Sequence, residues 1–299
     1  LNELQVFVNN ESTARIGTSL ESALSGVTLG EITSLTITGG SFLATDWYWL
    51  RAKRADLKAL MYFTITGGIS SVADIPCTYD NPYFGGQIKE VSVAKVAKIG
   101  DWAFSGCYTI TAASFPQVTY IGNYAFYARY DLHNLMLGAT PPIVGAGAFA
   151  HCAEERFLVP VNADGVPLTN SDLTAALNAY KAIDDGNTND SLWYGWKLVE
   201  TLYPIIINST DNGMVSTSHR YAPANTTVKL TPTPYVGYVL QSLSCDKQGG
   251  GGVDINMGNS FTMPNEGVIV NATFVSNVLY LTVNDSIAKS GTSLESALD

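Results

Sequence analysis

His151 beside Cys152 is the first pair in this sequence whose types could do chemistry: a thiol–imidazole dyad in which the ring accepts the thiol proton and the thiolate attacks. Adjacent residues usually point to different sides of a chain, and a cysteine inside a packed coil is inert, so the pair is read as structural. His133 and His219 sit in no nucleophile or metal pattern, and "SHR" at 218–220 reads as strand or loop with a surface imidazole. Glu154/Glu155 and Asp184/Asp185 could act as general acid and base, but neighbouring carboxylates in a Gly/Asn-rich loop are mostly solvated. "DDGNTND" at 184–190 has some of the oxygen density of a calcium loop without the EF-hand spacing or its terminal Glu. "GGGG" at 249–252 lacks the Lys-Ser/Thr and helix of a phosphate loop and reads as a flexible hairpin tip. The sequence therefore offers no catalytic residue, no metal site and no cofactor, and an enzyme acting on glycans would need an acidic pair in a cleft.

Cys77, Cys107, Cys152 and Cys245 form no CxxC or Cys/His cluster. Cys107 and Cys152 hold one slot of a repeat, two units apart. At about 4.8 Å per stacked strand their separation is about 10 Å, beyond the ~7 Å between alpha carbons that a disulfide spans. Free, mostly buried thiols are expected.

Bulk composition narrows the partners. The 299 residues suffice for two domains, and 46% apolar against 14% charged residues is far from a disordered composition. Net charge is -10, and no basic cluster is longer than "RAKR" at 51–54, which argues against a nucleic-acid partner on electrostatic grounds and favours a neutral or cationic ligand. No stretch approaches the roughly 20 apolar residues of a membrane-spanning helix. "LNELQVFVNN" has neither the basic start nor the apolar run of a signal peptide, as in a mature or trimmed product.

The elements that must position any site are written as a repeat. "KIGDWAFSGC" at 98–107 returns as "YIGNYAFYAR" and "IVGAGAFAHC", with Phe104, Phe126 and Phe149 spaced by 22 and 23 residues. Ile99, Ile121 and Val144 stand five before each Phe, and Gly100, Gly122 and Gly145 four before. Upstream, Val91/Ala113/Leu135 and Val93/Phe115/Leu137 alternate as short strands do. Such a period predicts a solenoid, whose units each bury their apolar face only against neighbours. The glycines then allow a tight turn, "AF" drops each Phe inward, and the variable Asp101/Asn123/Ala146 and Trp102/Tyr124/Gly147 lie at the surface. The spare residue of the third unit is placed at Pro141–Pro142.

"IGDWAFSGC" preceded by "EVSVAKV" resembles the leucine-rich repeats of BspA-like surface proteins of the Bacteroides type, strongly over residues 86–160. "LTITGG" at 35–40 and "FTITGG" at 63–68 resemble the entry to such arrays, with Leu43, Trp47, Leu50 and Leu57 near helical spacing between them. "FLVPVNADG", "LNAYKAI" and "WYGWKLVE" resemble the closing segment. Arg129 departs from the pattern, standing where its neighbouring units have Cys.

After Glu200, alternating strands take over. Gly213, Val228, Leu230, Pro234, Gly237, Tyr238, Phe261, Met263, Pro264 and Phe274 resemble the divergent internalin-type B-repeat, with Asn225 where that family has Gly. "GTSLESAL" at 17–24 recurs at 291–298, and "LTVND" at 281–285 parallels "VFVNN" at 6–10.

The reading is a short leucine-rich-repeat solenoid (α/β, strand-rich, a right-handed coil stack) plus a small all-β C-terminal domain. Residues 1–30 form an N-terminal strand/helix cap, 31–200 the solenoid with its C-terminal cap, 201–276 the B-repeat-like domain and 277–299 the start of a repeated module similar to 4–25. The resemblance implies a non-catalytic, secreted or cell-surface adhesion protein with a protein or glycan ligand. The alternative is a structural spacer whose repeated ends pair head to tail. Aromatics crowd the solenoid half beyond what a core needs, and exposed Tyr and Trp are good anchors because they bring large contact area with little entropy to lose. Trp102 and Tyr124, stacked at one slot, are the chosen ligand-binding residues, with Tyr127 and Tyr108 beside them.

Overall fold

The computed structural model describes residues 3–9, 11–78, 83–85, 87–183, 185–186, 192–277, 279–283 and 286–291, with side chains described up to residue 277. Most of the "DDGNTND" segment and all of 292–299 lie outside them. The chain divides into two units, Leu1–Thr201 and Leu202–Asp299.

Alternating apolar residues make the strands of the first unit, and the repeat makes them stack. Strands Ser34–Gly39, Tyr62–Ile65, Glu90–Val93, Ala112–Phe115, Asn134–Leu137, Phe157–Pro160 and Trp196–Leu198 lie side by side, each parallel to the next. The register is the repeat itself: Val91 faces Ala113 and Ala113 faces Leu135. The sheet is closed at one end by the antiparallel strands Leu4–Val8 and Arg15–Gly17, and at the other by Leu192–Trp193. A second, narrower parallel sheet runs through Lys98–Ile99, Tyr120–Ile121 and Ile143–Val144. The two sheets are opposite walls of one strand-rich solenoid.

Between the walls stands a column of rings. Phe104, Phe126 and Phe149 are buried, with ring centroids 4.8 Å and 5.6 Å apart and planes within 6° and 16°. The column is longer than three: Phe84 lies 6.3 Å from Phe104, Phe63 5.1 Å from Phe84 and Phe42 6.1 Å from Phe63. Its far end meets Trp196 at 5.5 Å and Trp193 at 5.9 Å, both fully buried. Each buried ring contributes roughly 1.5–3 kcal/mol of transfer free energy.

Helices serve only the ends. Ala44–Lys53 turns Trp47 and Leu50 inward, and the buried Asp46 accepts hydrogen bonds from the Leu20 N–H (2.7 Å) and the Leu43 N–H (2.8 Å). Those two donors lie at the start of helices, where backbone N–H groups lack intrahelical partners. Asn170–Lys181 places Tyr180 against Trp193, and the Tyr180 hydroxyl donates to the Gly138 carbonyl at 2.8 Å.

The second unit is all β. One sheet joins Tyr221–Ala222, Tyr203–Ile207, Val268–Ser276 and Tyr238–Lys247; another joins Gly213–Thr217, Thr227–Pro234 and Ser260–Thr262. They share a core of Ile205, Val215, Val228, Leu230, Cys245, Phe261, Met263, Val268, Val270 and Phe274. Asn225 has φ +70°, the left-handed conformation that Asn tolerates best after Gly. The departure from the family's glycine thus keeps the backbone. His219, expected at the surface, is 2% exposed: it lies two residues past strand Gly213–Thr217, and its ring Nδ1 pairs with Ser218 Oγ at 2.9 Å. Strands Leu279–Val283 and Ser286–Gly291 form a separate antiparallel hairpin.

Candidate functional site: the aromatic turn edge of the coils

The turn after each narrow-sheet strand holds the repeated phrase and the ligand-binding candidates. Gly100, Gly122 and Gly145 were expected to permit a tight turn, yet none has a positive φ. What they permit is close approach: a Cβ on Gly122 would lie 2.5 Å from the Asp101 N, and one on Gly145 2.5 Å from the Asn123 N. The left-handed residues come two positions later, Trp102 (φ +60°), Tyr124 (+53°) and Gly147 (+63°), and again at Gly106 (+91°), Ala128 (+56°) and His151 (+58°). Glycine fits such a position at no steric cost, whereas a bulky side chain is strained there. Only the third coil uses glycine at the first slot.

Hydrogen bonds stitch these turns together. The Trp102 N–H donates to the Asn123 carbonyl at 3.0 Å and the Tyr124 N–H to the Ala146 carbonyl at 3.0 Å. Asp101 and Asn123, expected at the surface, are half-buried: Asp101 Oδ1 accepts from the Asn123 N–H (2.8 Å) and Asn123 Oδ1 from the Ala146 N–H (2.8 Å). Each side chain satisfies a backbone donor of the next coil. Ile99, Phe104, Ile121 and Phe126 are fully buried beneath, but Val144 is only half-buried because strand Ile143–Val144 is an edge of its sheet.

On this scaffold Trp102 stacks on Tyr124, with centroids 4.5 Å apart and planes at 21°. Trp102 is half-buried and Tyr124 is 37% exposed. Tyr127 closes the group at 5.8 Å from each of them, and His151 meets Tyr127 edge-on at 5.3 Å. The Tyr124 ring also covers Gly147, where a Cβ would sit 2.5 Å from its Cε1. Three of the four chosen residues are therefore one cluster. Tyr108 is not in it: its ring lies over the Arg129 guanidinium, 4.8 Å from the ring centroid.

Chemically active types are kept apart. His151 points to the surface, while Cys152 turns inward and donates its S–H to the Phe126 carbonyl at 3.1 Å. Burial pushes the Cys107 thiol up to about 12 and the Cys245 thiol to about 11, and raises Cys152 as well. Glu154 and Glu155 are both exposed, Glu155 with Lys197 at 3.5 Å. Among the described residues no group of three or more His, Cys, Asp or Glu could hold a metal ion, and no helix is long and apolar enough to cross a membrane.

The strained, hydrogen-bonded turn edge over a stacked-ring interior defines a class, the solenoid repeat proteins that display one face of their coils. Within that class, residues 80–164 match the family model described as "BspA type Leucine rich repeat region (6 copies)", and residues 203–278 match "Divergent InlB B-repeat domain". The chain thus joins a BspA-type leucine-rich-repeat region to a divergent InlB B-repeat domain, in that order, as repeat-type surface and binding proteins do. No curated protein and no solved structure matches the chain.

Proposed function

We propose that this chain is a non-catalytic adhesion module of a bacterial cell surface, in which the turn edge of the solenoid recognises a protein or glycan ligand and the B-repeat unit serves as a spacer. The observation that carries the reading is the Trp102–Tyr124 stack, two large rings at backbone positions that disfavour them. Left-handed backbone costs a non-glycine residue roughly 1–2 kcal/mol, a cost that the third coil avoids with Gly147 at the same slot. A function at the ring surface accounts for keeping them. Glycan and matrix-protein arrays probed with the 299-residue chain and with its Trp102→Ala/Tyr124→Ala variant test it: capture by the parent and loss in the variant is expected, and equal capture refutes it.

The second reading, head-to-tail pairing, is favoured by the C-terminal hairpin. Leu279 pairs with Gly291 and Leu281 with Lys289, just as Leu4 pairs with Gly17 and Val6 with Arg15. The first hairpin is joined to Ser34–Gly39 through Leu4–Val8, so its copy has the backbone needed to extend a similar sheet edge. Light scattering on the chain with and without residues 279–299 decides: oligomers that vanish on deletion support pairing, and a monomer in both cases removes it.

A further inference from the structure

Arg129 stands in a slot that its neighbouring coils fill with Cys107 and Cys152, and it is 2% exposed. Its Nε donates to the Tyr127 carbonyl at 2.8 Å, while its buried Nη1 has no hydrogen-bond partner. The ionisable groups around the guanidinium are Cys107, Tyr108, Cys152 and Tyr130, none of them a carboxylate, and among the described residues no carboxylate forms an ion pair with it. In a chain with 26 Asp and Glu, a sequestered cation held by one carbonyl and one ring is only partly compensated, because buried charges are ordinarily paired with an anion. The guanidinium is covered on one side by the Tyr108 ring, which is itself 64% exposed. One coil on, at the same slot, Tyr130 is 65% exposed. An open recess of about 390 Å³, whose lining includes the cations Arg54 and Lys58, reaches Gly106 of the turn that carries Tyr108.

We propose that Arg129, Tyr108 and Tyr130 form a binding site for the carboxylate of an acidic sugar, Arg129 meeting the carboxylate and the tyrosines the pyranose ring. The inference deepens the recognition reading and rests on it, while using residues outside the Trp102–Tyr124 stack. Arg is suited to the task because its planar fork takes a carboxylate bidentately and stays charged at all working pH values. The exposed phenol rings supply flat apolar faces for sugar C–H groups. An outward swing of Tyr108 uncovers the guanidinium, which exchanges a cation–π contact for a charge-assisted pair.

Titration calorimetry with digalacturonate, its methyl ester and a Glu-Glu dipeptide tests the proposal. Digalacturonate is expected to bind, and the methyl ester at least tenfold more weakly. Arg129→Met should abolish binding and melt no lower than the parent, since an apolar side chain of similar size often stabilises a site built around an unpaired charge. Tyr108→Ala, a change at an exposed ring, should fold normally and weaken binding several-fold, so the proposal stays testable even if the Met variant fails to fold. No binding of digalacturonate, unchanged affinity in either variant, or equal binding of the dipeptide overturns it. The Trp102→Ala/Tyr124→Ala chain should retain digalacturonate binding. Array capture that depends on Trp102 and Tyr124, with no uronate binding, would sink this proposal and leave the recognition reading standing.

Discussion

Phe126→Ala is the sharpest perturbation of the interior. Phe126 is fully buried between Phe104 at 4.8 Å and Phe149 at 5.6 Å, with Phe115 at 6.0 Å on its flank. Truncating a core phenylalanine costs about 3–5 kcal/mol through lost transfer energy and the cavity left behind. Two stacked pairs are lost with it, each contributing about 0.5–1.5 kcal/mol beyond area. The coils around the gap cannot collapse, since their spacing is fixed by strand hydrogen bonds on both walls, so the upper end, about 5 kcal/mol, is expected. That is a third or more of the stability of an ordinary domain. Phe149→Ala, where the column ends on the edge of Trp196, should cost nearer 3 kcal/mol. Urea titration followed by tryptophan fluorescence reads the right unit, because all five tryptophans (Trp47, Trp49, Trp102, Trp193, Trp196) precede residue 202. A loss below about 2 kcal/mol for Phe126→Ala would refute the ring column as the solenoid's main support.

Further outcomes follow from the same geometry. Gly122→Ala should destabilise by about 1–3 kcal/mol through overpacking against the Asp101 backbone, while Gly252→Ala, with open space around it and no positive φ, should be neutral or slightly stabilising in thermal melts. Cys77 alone should react with a thiol reagent in the native protein at pH 8, the other three only after unfolding. The matching pH dependence has a definite sign: the raised folded values of Cys107 and Cys245 mean that the unfolded state gives up its thiol protons first. Stability is therefore full below the free-thiol value of about 8.5 and falls as pH rises toward 12, which alkaline urea titrations will follow.

The coil period, the inward Phe104, Phe126 and Phe149, and the two strand slots were legible because repetition multiplies a weak signal: one "AF" says little, and three at fixed spacing force a stack. Phe42, Phe63 and Phe84 escaped because they enter the same column without the surrounding phrase. The glycine slot was legible but its cause was not, since close approach of the neighbouring coil and local left-handedness select the same residue. No residue type announces a left-handed Trp102 or Tyr124, whose N–H groups are held by carbonyls of the next coil. The burial of Arg129 and its contact with Tyr108 depend on which side chain of the next coil lies above, a relation that pairs residues some 20 positions apart. His219 was misplaced for a similar reason, its burial coming from the fold of the second unit and not from its neighbours in sequence.

The central claim is that the solenoid keeps two strained rings for what they touch outside the chain. Its most direct test is the affinity of Trp102→Gly/Tyr124→Gly for an array probe captured by the parent chain. Glycine relieves the left-handed backbone, which offsets part of the ring packing lost against Tyr127 and Gly147; the account predicts loss of capture by a variant that still melts cooperatively. Undiminished capture by that variant, or a parent that captures nothing on either array, contradicts it.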